Sequence, residues 1–223
     1  MLSTLTAAPP ATSTAPSGAV EVVRRVLSLP DDRLDYSEAK IAFDCAIDPS
    51  IDANAVRAEL EAMEAKAREL AGPSPDDDAN LGALRKLIYE SGPWNGHRPF
   101  NYDHHDPVGA DGCNSVLASC LKTRLGNCVS MPVLFLILGE RLGLHLSLAL
   151  APGHMLVRYQ DQSGHILNLE TTSGAFPARL EWLRQEMPMT DLALKNGVYM
   201  RSLPKREAVA QMATTIGEHL VRT

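Results

Sequence analysis

Long apolar runs are missing from this 223-residue chain, and none reaches the ~18 residues that a membrane-spanning helix requires. Residues 1–18 are mostly Ala, Pro, Ser and Thr and lack the basic start and apolar stretch of a secretory signal, so we expect a disordered tail. Basic residues are the minority charge: 21 Lys and Arg face 27 Asp and Glu, for a formal net charge of −6. This balance argues against nucleic acid and membranes as partners, because both attract basic surfaces.

Residue spacings that hold metals or cofactors are also missing. The four cysteines form no CxxC pair and match no common zinc spacing. The sequence has no GxGxxG fingerprint and no phosphate-cradling loop, so we predict neither a metal nor another cofactor. Such thiols stay reduced inside the cell, which makes the cytoplasm the expected location. Three of the cysteines lie in apolar helical contexts and are interpreted as structural thiols: Cys45, Cys113 and Cys120.

The composition is that of an ordinary globular protein, with 45% hydrophobic and 22% charged residues. In residues 19–90, apolar positions recur at three- and four-residue steps, which predicts a helical N-terminal layer. Residues 91–180 contain the strand-like segments and are expected to form the core. Residues 181–223 return to a helical pattern and are expected to pack with that core as one compact unit.

A cysteine precedes the most apolar helix of the sequence. Residues 129–142 are almost wholly apolar, which is typical of a buried helix. Pro132 is tolerated only in the first helical turn, so the helix must begin near residues 128–130. Cys128 therefore lies at the helix N-terminus, where the helix dipole and free N–H groups stabilise a thiolate.

Three strand-like segments follow, at residues 144–149, 154–159 and 166–170. His154 begins the second of them, after the turn residues Pro152 and Gly153, and Glu170 ends the third. A thiol, an imidazole and a carboxylate are the parts of a nucleophilic cysteine site. In that interpretation Cys128 attacks, His154 takes and returns its proton, and Glu170 orients the imidazole. Each residue alone is more often structural, and the ordered trio is what favours catalysis.

The motifs around these residues resemble the transglutaminase-like superfamily, which has a papain-type Cys-His-Asp arrangement, and its bacterial SirB-type branch in particular. The resembling stretches are residues 124–132, 140–144 and 152–158, with weaker similarity at residues 101–107 and 114–115. The resemblance implies an α+β fold: a helix carrying Cys128 on a small antiparallel sheet, with a helical N-terminal layer and C-terminal helices. It also implies cysteine-dependent acyl transfer through a thioester, as an amide or peptide hydrolase or a transamidase.

Two departures leave alternatives open. The superfamily's third residue is usually aspartate, and Glu170 occupies its place, so the longer side chain is expected to rearrange or weaken the imidazole contact. Asn168 shares a strand face with Glu170 and is an alternative orienting residue. Many SirB-type members lack the cysteine, so the rival hypothesis is a catalytically silent module that uses its cleft for binding.

The polar loop at residues 93–112 supplies further candidates. Asn101 and Asn114 are candidate cleft residues, including side-chain donors to an oxyanion. The adjacent His104 and His105 lack the i, i+4 spacing of a helical metal pair, and a hydrogen-bonded loop is favoured over a metal site. Trp94 and other aromatics of this loop could wall a substrate groove or anchor the loop to the core. The expected partner is a protein or peptide substrate, and the sequence does not define an oligomeric state.

Overall fold

The computed structural model describes residues 16–106 and 112–222, and the predicted tail lies outside these except for its last residues, which begin the first helix. The described residues combine α-helices with two β-sheets. The helices are α1 Pro16–Leu27, α2 Tyr36–Ile47, α3 Ala53–Ala71, α4 Asp77–Tyr89, α5 Leu117–Thr123, α6 Ser130–Arg141, α7 Leu180–Glu186, α8 Asp191–Lys195, α9 Lys205–Met212 and α10 Thr214–Arg222. The strands are β1 Asn101–Tyr102, β2 Leu125–Gly126, β3 Leu146–Ala151, β4 His154–Gln160, β5 Ile166–Glu170 and β6 Phe176–Ala178.

The N-terminal helices begin where acidic side chains cap them. Asp35, Asp52 and Asp76 each accept a hydrogen bond from a backbone N–H in the first turn of α2, α3 and α4, respectively. Such a cap satisfies amides that have no partner within the helix. Each cap depends on one polar side chain next to the helix start, so local chemistry defines where these helices begin.

Helix α6 is the centre of the structure. Its residues Ser130 to Gly139 are all buried, and the helix contacts α2, α3, α4 and α5 on one side and β3 and β4 on the other. A helix surrounded in this way has no polar face, which explains its unbroken apolar sequence. The mixed α+β class that the sequence predicted is confirmed.

The main sheet has four antiparallel strands in the order β3-β4-β5-β6. β3 begins and ends two residues later than predicted, whereas β5 has the predicted bounds. A small parallel pair, β1 with β2, was not predicted, because two-residue strands leave no periodic signal.

Two short helical elements precede α6 and the cysteine loop. Residues 112–115 form a 3₁₀ helix, and α5 begins only at Leu117. α5 ends at Thr123 and is followed by the C-cap residue Arg124, whose φ of 62° is left-handed, and Gly126 belongs to β2.

Candidate active site

Cys128 lies in the short connection between β2 and α6, two residues before the first residue of the helix. The residues beside it cap the helix: Asn127 Oδ1 accepts hydrogen bonds from the N–H groups of Val129 at 2.9 Å and Ser130 at 3.1 Å. In return, Asn127 N donates to Ser130 Oγ at 3.1 Å. This reciprocal cap holds the backbone on both sides of the thiol.

Gly126 allows the cysteine loop to pack closely on the helix start. A Cβ at this position would lie 2.7 Å from Ser130 Oγ and 2.8 Å from Met131 Cγ, which is closer than real carbon contacts. Glycine is therefore required at this position because a Cβ would not fit, and not because of its backbone angle.

A tight hairpin positions His154. The sheet register pairs Ala151 with His154, so the connection between β3 and β4 is the two residues Pro152 and Gly153. Gly153 has a left-handed φ of 66°, which a turn of this kind requires and which glycine adopts without strain. The Gly153 carbonyl oxygen lies 3.9 Å from Cys128 Sγ, so the hairpin brings the imidazole to the thiol.

Glu170 contacts the imidazole directly. His154 Nε2 and Glu170 Oε2 are 2.8 Å apart, and both side chains are largely buried. The other carboxylate oxygen, Oε1, accepts from Thr172 N at 3.0 Å and Thr172 Oγ1 at 2.6 Å. The contact that was expected to be rearranged or weakened is a direct one: glutamate reaches His154 diagonally across the sheet while also capping the 3₁₀ helix Thr171–Ser173.

The contacts favour a charged imidazole. Burial alone would lower the pKa of His154, but its hydrogen bonds to Cys128 and Glu170 and their negative charges outweigh burial and raise the pKa to about 9. Burial likewise opposes ionisation of Glu170, yet the hydrogen bonds from His154 and Thr172 hold the pKa of this carboxyl below its ordinary value. Because Nε2 faces Glu170, the ring leaves Nδ1 for the thiol.

These residues open onto a cleft of about 510 Å³. Cys128 and His154 line it together with Tyr102, Tyr199 and the N-terminal half of α10. Burial and the negative charge of Cys128 raise the pKa of Tyr102, so its hydroxyl remains a donor close to the thiol. Among the described residues, no hydrogen-bond acceptor is recorded for the Cys128 backbone N–H.

The structure places the predicted asparagines away from the imidazole and the thiol. Asn168 lies opposite Arg158 in the sheet, and its Nδ2 is 3.5 Å from the Ala178 carbonyl oxygen, so Glu170 rather than Asn168 contacts His154. Asn101 is exposed, and its Nδ2 donates to Pro99 O at 3.1 Å.

The Asn114 side chain forms its hydrogen bonds within the polar loop. Its Nδ2 donates to Asp103 Oδ2 at 2.9 Å and to Asp106 Oδ2 at 3.1 Å, which uses both amide protons. The polar residues that line the cleft include Tyr102, one of the loop aromatics considered as a groove wall or anchor, and Asn127, which was not predicted. An asparagine directly before the cysteine and three residues before Ser130 is the capping signal that could have identified it.

Aromatic residues of the loop divide between the two predicted roles. Trp94 Nε1 donates to the carbonyl oxygens of Lys86 and Glu90 at the end of α4, so this side chain anchors the loop. Tyr102 lines the cleft instead. Of the thiols interpreted as structural, Cys120 is buried, Cys45 is partly buried and Cys113 is exposed.

Two further features of the described residues concern metal-binding groups and membrane-spanning helices. Over the described residues, no group of three or more His, Cys, Asp and Glu side chains is arranged to hold a metal ion. No helix in that part of the chain is both long and apolar enough to cross a bilayer.

The fold and this cleft agree with a family match. A sequence model of the transglutaminase-like superfamily matches residues 54–213, which include Cys128, His154 and Glu170. The chain therefore belongs to the transglutaminase-like superfamily.

One curated relative has a significant match: a UPF0162 protein from Xylella fastidiosa (strain 9a5c), 29% identical over 107 residues. The alignment covers 48% of this chain and 35% of that protein, so the chain spans about a third of the length of its relative. No solved structure matches significantly.

Proposed function

We propose that this protein is a cysteine-dependent acyl-transfer enzyme that acts on protein or peptide substrates. The observation that supports the proposal is that Glu170 contacts His154 at 2.8 Å and that His154 and Cys128 line the same open cleft. A helix start, an orienting carboxylate and a histidine base are what a thiolate nucleophile requires.

The geometry fits a two-stage reaction. His154 Nδ1 takes the thiol proton, and Cys128 Sγ forms a bond to the substrate carbonyl carbon, whose oxygen becomes an oxyanion facing the Cys128 N–H. The imidazolium then gives the proton to the leaving amine or alcohol as the C–N or C–O bond breaks, and a thioester remains. Attack by water, deprotonated by His154, completes hydrolysis, whereas attack by an amine completes transamidation.

A protein or peptide substrate fits the shape and size of the cleft. A volume of about 510 Å³ accommodates several non-hydrogen groups on either side of a scissile bond. The cleft is open, and its lining includes polar side chains that can bind a peptide, among them Tyr199, Gln211 and the carboxylate of Glu218.

The test is acylation by p-nitrophenyl acetate, followed by peptide mass mapping. The expected result is a burst of p-nitrophenol with one acetyl group on Cys128, and loss of both in Cys128→Ala. Cys113→Ser is the matched control, because Cys113 is an exposed thiol that does not line this cleft, and this variant should keep the burst.

A repeat in the presence of a primary amine separates the two reactions, because transamidation gives the acetamide and hydrolysis gives acetate. If Cys128 is acetylated no faster than Cys113, the acyl-transfer proposal fails. The cleft would then serve the rival function, a binding module without catalysis.

A further inference from the structure

A buried ion pair lies on α2, outside the part of the chain that the family model matches. Lys40 Nζ and Asp44 Oδ1 are 2.5 Å apart, and the two side chains are 0% and 2% exposed. Burying two charges is expensive, and such a pair is often no more stabilising than apolar residues of the same volume. Its presence therefore calls for a role other than stability.

The pair binds two backbone groups of the segment that precedes the cysteine loop. Lys40 Nζ donates to the Ser115 carbonyl oxygen at 2.7 Å, and Asp44 Oδ2 accepts from Leu117 N at 2.7 Å. Val116, which precedes α5, provides no side-chain cap, so Asp44 supplies the cap from another helix. The ion pair thus fixes the end of the 3₁₀ helix and the start of α5 relative to α2.

The chain of contacts continues to Cys128. Ser115 Oγ accepts from Asn127 Nδ2 at 3.0 Å, in a buried contact. Asn127 Oδ1 in turn holds the amides of Val129 and Ser130, on the far side of Cys128. An unbroken series of hydrogen bonds therefore runs from α2 to the backbone that carries the nucleophile.

We propose that Lys40 and Asp44 are positioning residues that hold Cys128 opposite His154 through Ser115 and Asn127. The inference rests on the proposed function of Cys128 as a nucleophile. In this proposal α2, which precedes the matched family region, helps to position the nucleophile and does not only cover the core. A thiol displaced by a fraction of an ångström loses its alignment with the imidazole, and such misplacement costs about tenfold to a hundredfold in rate.

Three variants test this series of hydrogen bonds at different contacts. Ser115→Ala removes only the hydroxyl that accepts from Asn127, and Ser115→Thr restores it in a position that borders open cavity space. A double variant, Lys40→Met with Asp44→Leu, removes both charges together and leaves no single buried charge. Glu38→Gln is the control, because Glu38 also lies on α2 and its ion pair with Arg57 of α3 is exposed.

The measurements are the rate of iodoacetamide modification of Cys128 against pH, relative to glutathione, and amide exchange at Val129 and Ser130. We expect Ser115→Ala and the double variant to lower the rate of iodoacetamide modification of Cys128 about tenfold or more. Both should also speed exchange at the two amides. Ser115→Thr and Glu38→Gln should behave as the wild type, and melting temperatures identify any variant that does not fold.

The outcomes separate the two proposals. A wild-type Cys128 that reacts no faster than glutathione contradicts the nucleophile itself, and this inference with it. A reactive wild type with unchanged rates and exchange in folded Ser115→Ala leaves the proposed function intact and overturns the positioning role. Should the double variant not fold, Ser115→Ala with its threonine rescue decides the question alone.

Discussion

Neutralising Glu170 is the change with the most defined consequence for the site. The pKa of His154 is raised from 6.5 to about 9, which corresponds to about 3 kcal/mol in favour of the charged ring, shared between its contacts with Cys128 and Glu170. Glu170→Gln keeps the size of the side chain and removes its charge. Because an adjacent opposite charge moves a pKa by about 1–3 units, we expect the pKa of His154 to fall by about 1–2 units.

The assay is an NMR titration with ¹³C-labelled histidine. The protein has seven histidines, and the resonance that disappears in His154→Gln identifies the one of interest. Glu61→Gln is the matched control, because Glu61 is an exposed carboxylate on α3. If the pKa of His154 changes no more in Glu170→Gln than in Glu61→Gln, the carboxylate does not stabilise the imidazolium and the orienting role is refuted.

Two further predictions concern stability. Gly126→Ala should lower the free energy of unfolding by about 1–3 kcal/mol, because the new Cβ overlaps Ser130 Oγ, and urea titration should show the loss. An unchanged transition midpoint would mean that the cysteine loop relaxes freely. The charged His154 contributes stability that is complete below pH 6.5 and is lost as pH rises through about 9. The free energy of unfolding should therefore fall across that range by more in the wild type than in His154→Gln, and parallel pH profiles would contradict the charged pair.

Local signals predicted the elements that carry the site. Pro132 restricted the start of α6 to a few residues, and α6 does begin at Ser130. Pro152 and Gly153 predicted the break before His154, and these two residues form the whole hairpin turn. Each feature depends on the φ preference of one or two residues, so it can be predicted without knowing what packs nearby.

Local signals could not predict which polar residue contacts His154 or which asparagine lines the cleft. Asn168 and Glu170 share a strand face, and only the register of β4 with β5 decides that Glu170 lies diagonally across from His154. Asn114 is a plausible cleft donor in isolation, but the fold places Asp103 and Asp106 within hydrogen-bond distance of its amide. Strand register and loop packing depend on contacts between residues distant in sequence, which periodicity does not encode.

The sequence by itself determined that the thiol precedes a buried helix and that an imidazole and a carboxylate occupy the ends of neighbouring strands, because backbone preference and apolar periodicity are local properties. Only the tertiary structure joined α2 to this site. Lys40 and Asp44 lie more than 70 residues from the backbone groups they bind. Their role depends on burial and hydrogen-bond geometry, which exist only once the chain has packed around α6.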